Sequence, residues 1–189
     1  LARLISESCL VKGDIQKARQ YYEGLSLKDM NGKDYFYAGT VMYSVNDYQG
    51  AIDNFNKMTD RSDSLGQVAN YHLGNAYIRT RNQVAAMEAF HDASEVDFDP
   101  QITEDAMFNY AKLAFDLNKD TGGFKSYIKR YSTKAKGEQI YGYMALAALY
   151  DHDYAAAVEA YDNIDVLSGD YRSNYTKANF LRGVQLFSS

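Results

Sequence analysis

The sequence predicts an all-α fold, a linear array of helical hairpins, and three observations carry that prediction. A small residue, a second twelve positions later and an aromatic ring four beyond that recur every 33 to 37 residues. The sets are Ser6, Ala18, Tyr22; Gly39, Ala51, Phe55; Gly74, Ala86, Phe90; Ala111, Gly123, Tyr127; and Ala145, Ala157, Tyr161. A fixed period of this length marks a repeat array, in which each unit buries its apolar face only against its neighbours. Within a unit, apolar residues follow a three-to-four spacing twice over, as in Tyr35, Ala38, Gly39, Met42 and then Tyr48, Ala51, Ile52, Phe55, which is one face of a helix each time. Between the halves stand polar turn residues, so each unit reads as helix, tight turn, helix.

Taken in order, the first unit covers about 1–31 and turns at Lys12-Gly13-Asp14. The second, 32–66, turns at Asn46-Asp47, and the third, 67–103, at Arg81-Asn82. In the third, the stretch from Glu95 to Pro100 closes one helix, and Thr103, Glu104 and Asp105 are expected to cap the next. The fourth, 104–137, turns at Asn118-Lys119-Asp120, and its adjacent Gly123 and Phe124 allow the second helix to begin up to four residues earlier. The fifth, 138–170, turns at Asp151-His152-Asp153. The last stretch, 171–189, carries Tyr175, Ala178, Phe180, Leu181, Val184, Leu186 and Phe187 and reads as one more amphipathic helix, either a cap or the first helix of a sixth unit. Caps show a polar outer face, so Phe180, Leu186 and Phe187 argue for continuation. The chain also opens on Leu1 and lacks the beginning of its first helix, which reads as a processed protein or an excised fragment.

The small residues have a steric role. Gly or Ala at the middle of both helices lets the backbones approach, and the ring one turn further on fills the wedge beyond. A bulky side chain at Ala51 or Ala86 is expected to overpack the hairpin by about 1–3 kcal/mol.

Leu73-Gly74-x-x-Tyr77, followed by Ala86-x-x-x-Phe90-x-x-Ala93 and Pro100, resembles a complete tetratricopeptide repeat (TPR). The units around Gly39 and Ala145 are similar, with Tyr48 and Tyr154 three residues before their alanines, and the resemblance extends over nearly the whole chain. It implies a right-handed α-solenoid whose inner groove is lined by the first helix of each pair; the leading expectation is a non-enzymatic scaffold that binds a segment of another protein, the alternatives a structural spacer or self-association module, or the docking segment of a larger envelope-assembly protein or enzyme. With the triplets assigned to packing, the first-helix positions left for the groove are Phe36, Tyr37, Thr40 and Tyr43; Tyr71, His72, Asn75 and Arg79; Phe108, Asn109, Lys112 and Phe115; and Tyr143 with Leu146. Rings and amides suit an extended or helical peptide. Some proteins of this family clamp the C-terminal carboxylate of chaperones. The positions implied for that clamp hold Arg3, Glu7, Tyr37, Val68 and His72, and Glu7 and Val68 argue against it.

Composition narrows the partner classes. A net charge of −5 argues against a nucleic-acid surface, which needs clustered Lys and Arg. The nearest basic run, Lys125, Lys129, Arg130, Lys134 and Lys136, falls around a helix end, where cations complement the helix dipole. The most apolar stretch, Met144 to Leu149, is far short of the roughly 20 residues of a membrane span. Cys9 is alone, and His72, His91 and His152 stand at no metal-ligand spacing, so neither metal nor cofactor is expected. No phosphate loop, nucleophile elbow or Ser/His/Asp set appears. The apolar C-terminal stretch is a candidate for self-association, and the Tyr- and Asn-rich composition is similar to that of repeat proteins of bacterial cell envelopes.

Overall fold

The structure, a computed structural model, describes residues 2–24, 30–131 and 136–188. The side chains of residues 2–4, 6 and 7 lie outside that description, and with them Ser6 of the first triplet, Arg3 and Glu7; so does Lys134 of the basic run. All regular structure among the described residues is helical. The helices are α1 (Ala2–Val11), α2 (Ile15–Glu23), α3 (Gly32–Ser44), α4 (Tyr48–Phe55), α5 (Ser64–Arg79), α6 (Gln83–Ser94), α7 (Pro100–Asn118), α8 (Gly122–Tyr131), α9 (Gly137–Tyr150), α10 (Tyr154–Asp162) and α11 (Gly169–Phe187). The chain falls into two compact units, Leu1–Leu113 and Ala114–Ser189, with the boundary inside α7.

The hairpin turns share one construction. Gly13, Asn46, Arg81, Lys119 and His152 all have φ between 58° and 76°, the left-handed conformation that ends a helix. In the α5–α6 turn the Asn82 amide then donates back to the Tyr77 carbonyl at 2.8 Å and the Arg81 amide to Ile78 at 3.1 Å, closing the helix end. The next residue caps the second helix at once. Asp47 accepts from the Gly50 amide at 2.9 Å, Asn82 from Ala85 at 3.2 Å and Asp153 from Ala156 at 3.0 Å. Asp and Asn are therefore in these turns for their side-chain oxygens.

The seams follow the triplets, with one sharpening. A Cβ built on Gly39 would lie 2.6 Å from the Phe55 ring, and one on Gly74 would lie 2.7 Å from the Phe90 ring. Each ring sits on the glycine itself. Ala51, Ala86, Ala157, Phe55, Phe90, Tyr127 and Tyr161 are all buried. In the fourth hairpin α8 opens at Gly122 and buries Gly123, Phe124 and Tyr127, the same face that α4 buries with Ala51, Ile52 and Phe55.

One cap differs from expectation. Helix α7 begins at Pro100, ahead of Thr103, Glu104 and Asp105, because proline at a first helical position forfeits no hydrogen bond. Asp99 accepts from the Gln101 amide at 2.9 Å in their place. Thr103 is fully buried instead. Its hydroxyl donates to the Val96 carbonyl at 2.9 Å, and Gln67, also fully buried, donates to Thr103 Oγ1 at 2.9 Å and accepts from the Asp99 amide at 2.8 Å. This polar knot ties the start of α5 to the connection between α6 and α7.

In the second unit, α11 packs on α10 and α9 much as α5 packs on α4 and α3 in the first. Gly142 makes room for Tyr171, whose hydroxyl occupies the space a Cβ would need.

Candidate functional site

Helical periodicity sorts the first-helix residues into columns. Tyr71, Asn75 and Ile78 share one face of α5, with Arg79 at its edge; Phe36, Thr40 and Tyr43 stand in the same columns on α3. Phe108 and Lys112 continue the first two on the part of α7 that belongs to the first unit.

Burial divides these residues. Phe36 is 7% exposed, its ring centroid 6.2 Å from Phe55 and 5.4 Å from Tyr37. It is a core ring, so its placement in the groove is corrected. It belongs to one core cluster with Ala51, Ile52 and Phe55 of its own hairpin and Ala69, Leu73 and Ala76 of the next. Tyr37 is half-buried against Tyr22 at 6.5 Å, with the Lys33 ammonium 5.5 Å from its ring. Tyr43, also half-buried, meets Tyr48 edge-on at 5.5 Å and His72 at 4.7 Å, and burial raises its phenol above the usual range. Tyr71 lies with its edge on Phe90 at 5.8 Å; burial, then the Asp105 carboxylate, raise its phenol too.

His72 stands among the rings of Tyr43, Phe55 and Tyr71, and its Nδ1 is buried without a hydrogen-bond partner. That burial lowers its pKa and keeps the ring neutral. His72 belongs to the hairpin interface as much as to the surface.

The polar members keep part of their capacity. Thr40 donates to the Phe36 carbonyl at 2.9 Å, Asn75 to Tyr71 at 3.0 Å and Asn109 to Asp105 at 2.9 Å, each one turn back along its own helix. These bonds fix the side chains against the helix. An amide that spends one N–H in this way retains its second N–H and its carbonyl oxygen. Arg79 and Lys112 are exposed, Arg79 with its guanidinium 5.8 Å from the Tyr48 ring, and Phe108 and Asn109 are half-buried. Ile78 is 42% exposed on the face of Tyr71 and Asn75. It was not among the expected groove residues, although its spacing of seven from Tyr71 was the available signal.

In the second unit, Phe115 is buried, 6.0 Å from Phe124, which removes it from the expected groove lining as well. Tyr143 lies 5.2 Å from Phe124 with the rings within 9° of parallel, half-buried over that core ring. Leu146 is exposed.

The titratable groups do not converge. His91 lies 3.9 Å from Asp92 and 4.0 Å from Glu95 on the surface of α6, and His152 Nδ1 is 3.0 Å from the Tyr154 hydroxyl in a hairpin turn. Among the described residues no group of three or more His, Cys, Asp or Glu is placed to hold a metal ion, and no helix is long and apolar enough to cross a membrane.

No family model matches the sequence, and no curated protein matches it. Solved structures do resemble it. One crystal structure of MamA superposes with a TM-score of 0.61 at 19% identity, covering 96% of this chain and 96% of the other. A second crystal structure of MamA protein gives 0.63 at 18% identity, covering 96% and 92%. At these identities the likeness concerns the fold alone, which is all-α, of the helical-repeat solenoid class and TPR-like.

Proposed function

We propose that the chain is a non-enzymatic protein-interaction scaffold, reading as one array of TPR-like units, that captures an extended or helical segment of a partner protein on its first-helix faces. The carrying observation is the α5 face, where Tyr71, Asn75 and Ile78 are left partly open beside an exposed Arg79, although the seam positions of the same helix are closed. Half-exposed rings give apolar contact with little rotamer entropy to lose, and amides held at one end are ready to bond an extended backbone. Tyr37, Thr40, Tyr43, His72, Phe108, Asn109 and Lys112 extend the same surface in the first unit, and Tyr143 offers a ring of the same kind in the second.

The test substitutes Tyr71, Asn75 and Lys112 together by alanine and measures capture of a peptide selected from a displayed random library against the unaltered chain. Loss of at least about tenfold in affinity with an unchanged melting temperature supports the reading. Capture that survives the substitutions, but is abolished by removing residues 171–187, overturns it.

A second reading, self-association, rests on α11. Phe180, Val184 and Phe187 recur at helical spacing and are 69%, 48% and 96% exposed, an apolar stripe left open among the described residues. Sedimentation that depends on concentration, and ceases to do so in Phe180→Lys with Phe187→Lys, is its expected signature.

A further inference from the structure

A different face of α5 carries a second candidate site. Asn70, Leu73 and Tyr77 of α5, Asn56 and Arg61 from the stretch before it, and Ala85, Glu88, Ala89 and Asp92 of α6 line a cleft of about 120 Å³. Asn70 is 5% exposed, and its Oδ1 is buried with no hydrogen-bond partner. A buried amide oxygen without a donor is costly, and native chains rarely keep one unless something outside the fold completes it.

The position is also out of character. Four residues before the seam residue, the second, fourth and fifth units have Tyr35, Met107 and Tyr141. Only the third of these units places an amide there.

The chemistry of the cleft specifies its occupant. Asn70 Oδ1 is an acceptor, and Glu88 and Asp92, one turn apart on α6, add two carboxylates on the same wall. Among the described residues Glu88 makes no ion pair, and Asp92 lies 3.9 Å from His91. Arg61 also lines the cleft, whose lining therefore carries two negative charges and one positive. Leu73, Ala85 and Ala89 supply an apolar wall suited to a methylene stem, while the volume is too small for a cofactor. Tyr77 is already engaged, accepting from Asn56 Nδ2 at 2.9 Å.

We infer that this cleft takes the side chain of a lysine from a partner protein, its ammonium donating to Asn70 Oδ1, Glu88 and Asp92. Three radially directed N–H donors match three acceptors, and the alkyl stem lies on Leu73 and Ala89. The site is independent of the Tyr71–Asn75 face and survives if that reading fails.

The experiment titrates the full chain with N-acetyl-lysine methylamide and with the norleucine and glutamate analogues, following the Ala85 and Ala89 backbone amides by NMR. Saturable shifts with the lysine probe alone are expected. Asn70→Leu, close in volume, weakens that binding about tenfold or more without lowering the melting temperature, because it removes a buried orphan along with the acceptor. Glu88→Gln with Asp92→Asn, both on the surface, weakens it as well and keeps the test alive if Asn70→Leu does not fold. The inference is overturned if the lysine probe gives no saturable shift, if the norleucine or glutamate analogue binds equally, or if the variants leave the affinity unchanged.

Discussion

Helices α5 and α11 are of similar length, 16 and 19 residues, and both carry a tyrosine- and asparagine-rich sequence. Yet α5 buries Gly66, Gln67, Ala69, Asn70, Leu73, Gly74 and Ala76, whereas α11 buries only Ala178 among the described residues. The difference lies in the neighbours. Helix α5 has a partner within its hairpin and another hairpin before it, while the stripe of Phe180, Val184 and Phe187 on α11 is left exposed among the described residues. In a repeat array burial is a property of the stack, and the same composition serves as core in one place and as open surface in another.

The sharpest way to break this comparison is to remove one ring from each side. Phe90→Ala is expected to cost about 3–5 kcal/mol, since the ring is fully enclosed against Gly74 and Tyr71, whereas Phe180→Ala is expected to stay within about 0.5 kcal/mol. Urea denaturation of the two variants reads the contrast directly. Comparable losses would mean that α11 is covered after all.

A finer version uses glycines. At Gly74 an added Cβ meets Phe90 ring carbons at 2.7 Å, so Gly74→Ala is expected to lose about 1–3 kcal/mol to overpacking against a helix-propensity gain near 1 kcal/mol. At Gly183 on α11 nothing lies within 4 Å, and Gly183→Ala is expected to gain up to about 1 kcal/mol. Opposite signs in thermal melts are the predicted outcome.

Titration offers a third contrast, because α5 carries a half-buried histidine and α11 carries none. The folded-state pKa of His72 lies below its ordinary value of 6.5, so the native chain binds fewer protons at this site than the unfolded chain. Its contribution to stability is complete above 6.5 and is lost as pH falls from there toward the folded value. Denaturation midpoints measured between about pH 7.5 and about pH 5.5 are expected to fall, and His72→Phe, which keeps a ring among Tyr43 and Phe55, to flatten that fall.

The smallest expected effect is in the turn after α5. Arg81 holds φ at 63°, a conformation that costs a residue with a Cβ roughly 1 kcal/mol, and Arg81→Gly is expected to recover about that much. Substituting Gly13, the counterpart in the first hairpin, by alanine is expected to lose it.

Much of the packing was legible because its signals are local and repeated. The Gly–Ala–ring spacing marks both helices of a hairpin, and Asp or Asn in each turn marks the start of the second. What could not be read depends on partners far along the chain. Gln67 and Thr103 are 36 residues apart and complete each other inside the fold, so Thr103 is a buried partner of α5 and not a helix cap. Phe36, Tyr71 and Phe108 stand in one column of the repeat, yet Phe36 is core beside Phe55 while the other two are half-buried. Of the groove residues expected from sequence, the polar ones were easier to place on the surface than the aromatic ones. The Asn70 cleft was missed because one asparagine in an aromatic column becomes visible only once its oxygen is seen to lack a donor.

The central claim is that the triplets serve packing and leave the first-helix faces for a partner. It is tested most directly by placing a photo-crosslinking phenylalanine analogue at Ile78 on α5 or at Val84 on α6, two exposed apolar positions of one hairpin, 42% and 55% open. With a peptide selected against the unaltered chain, crosslinking from position 78 and none from position 84 is the predicted result; crosslinking from 84 and none from 78 would contradict the account.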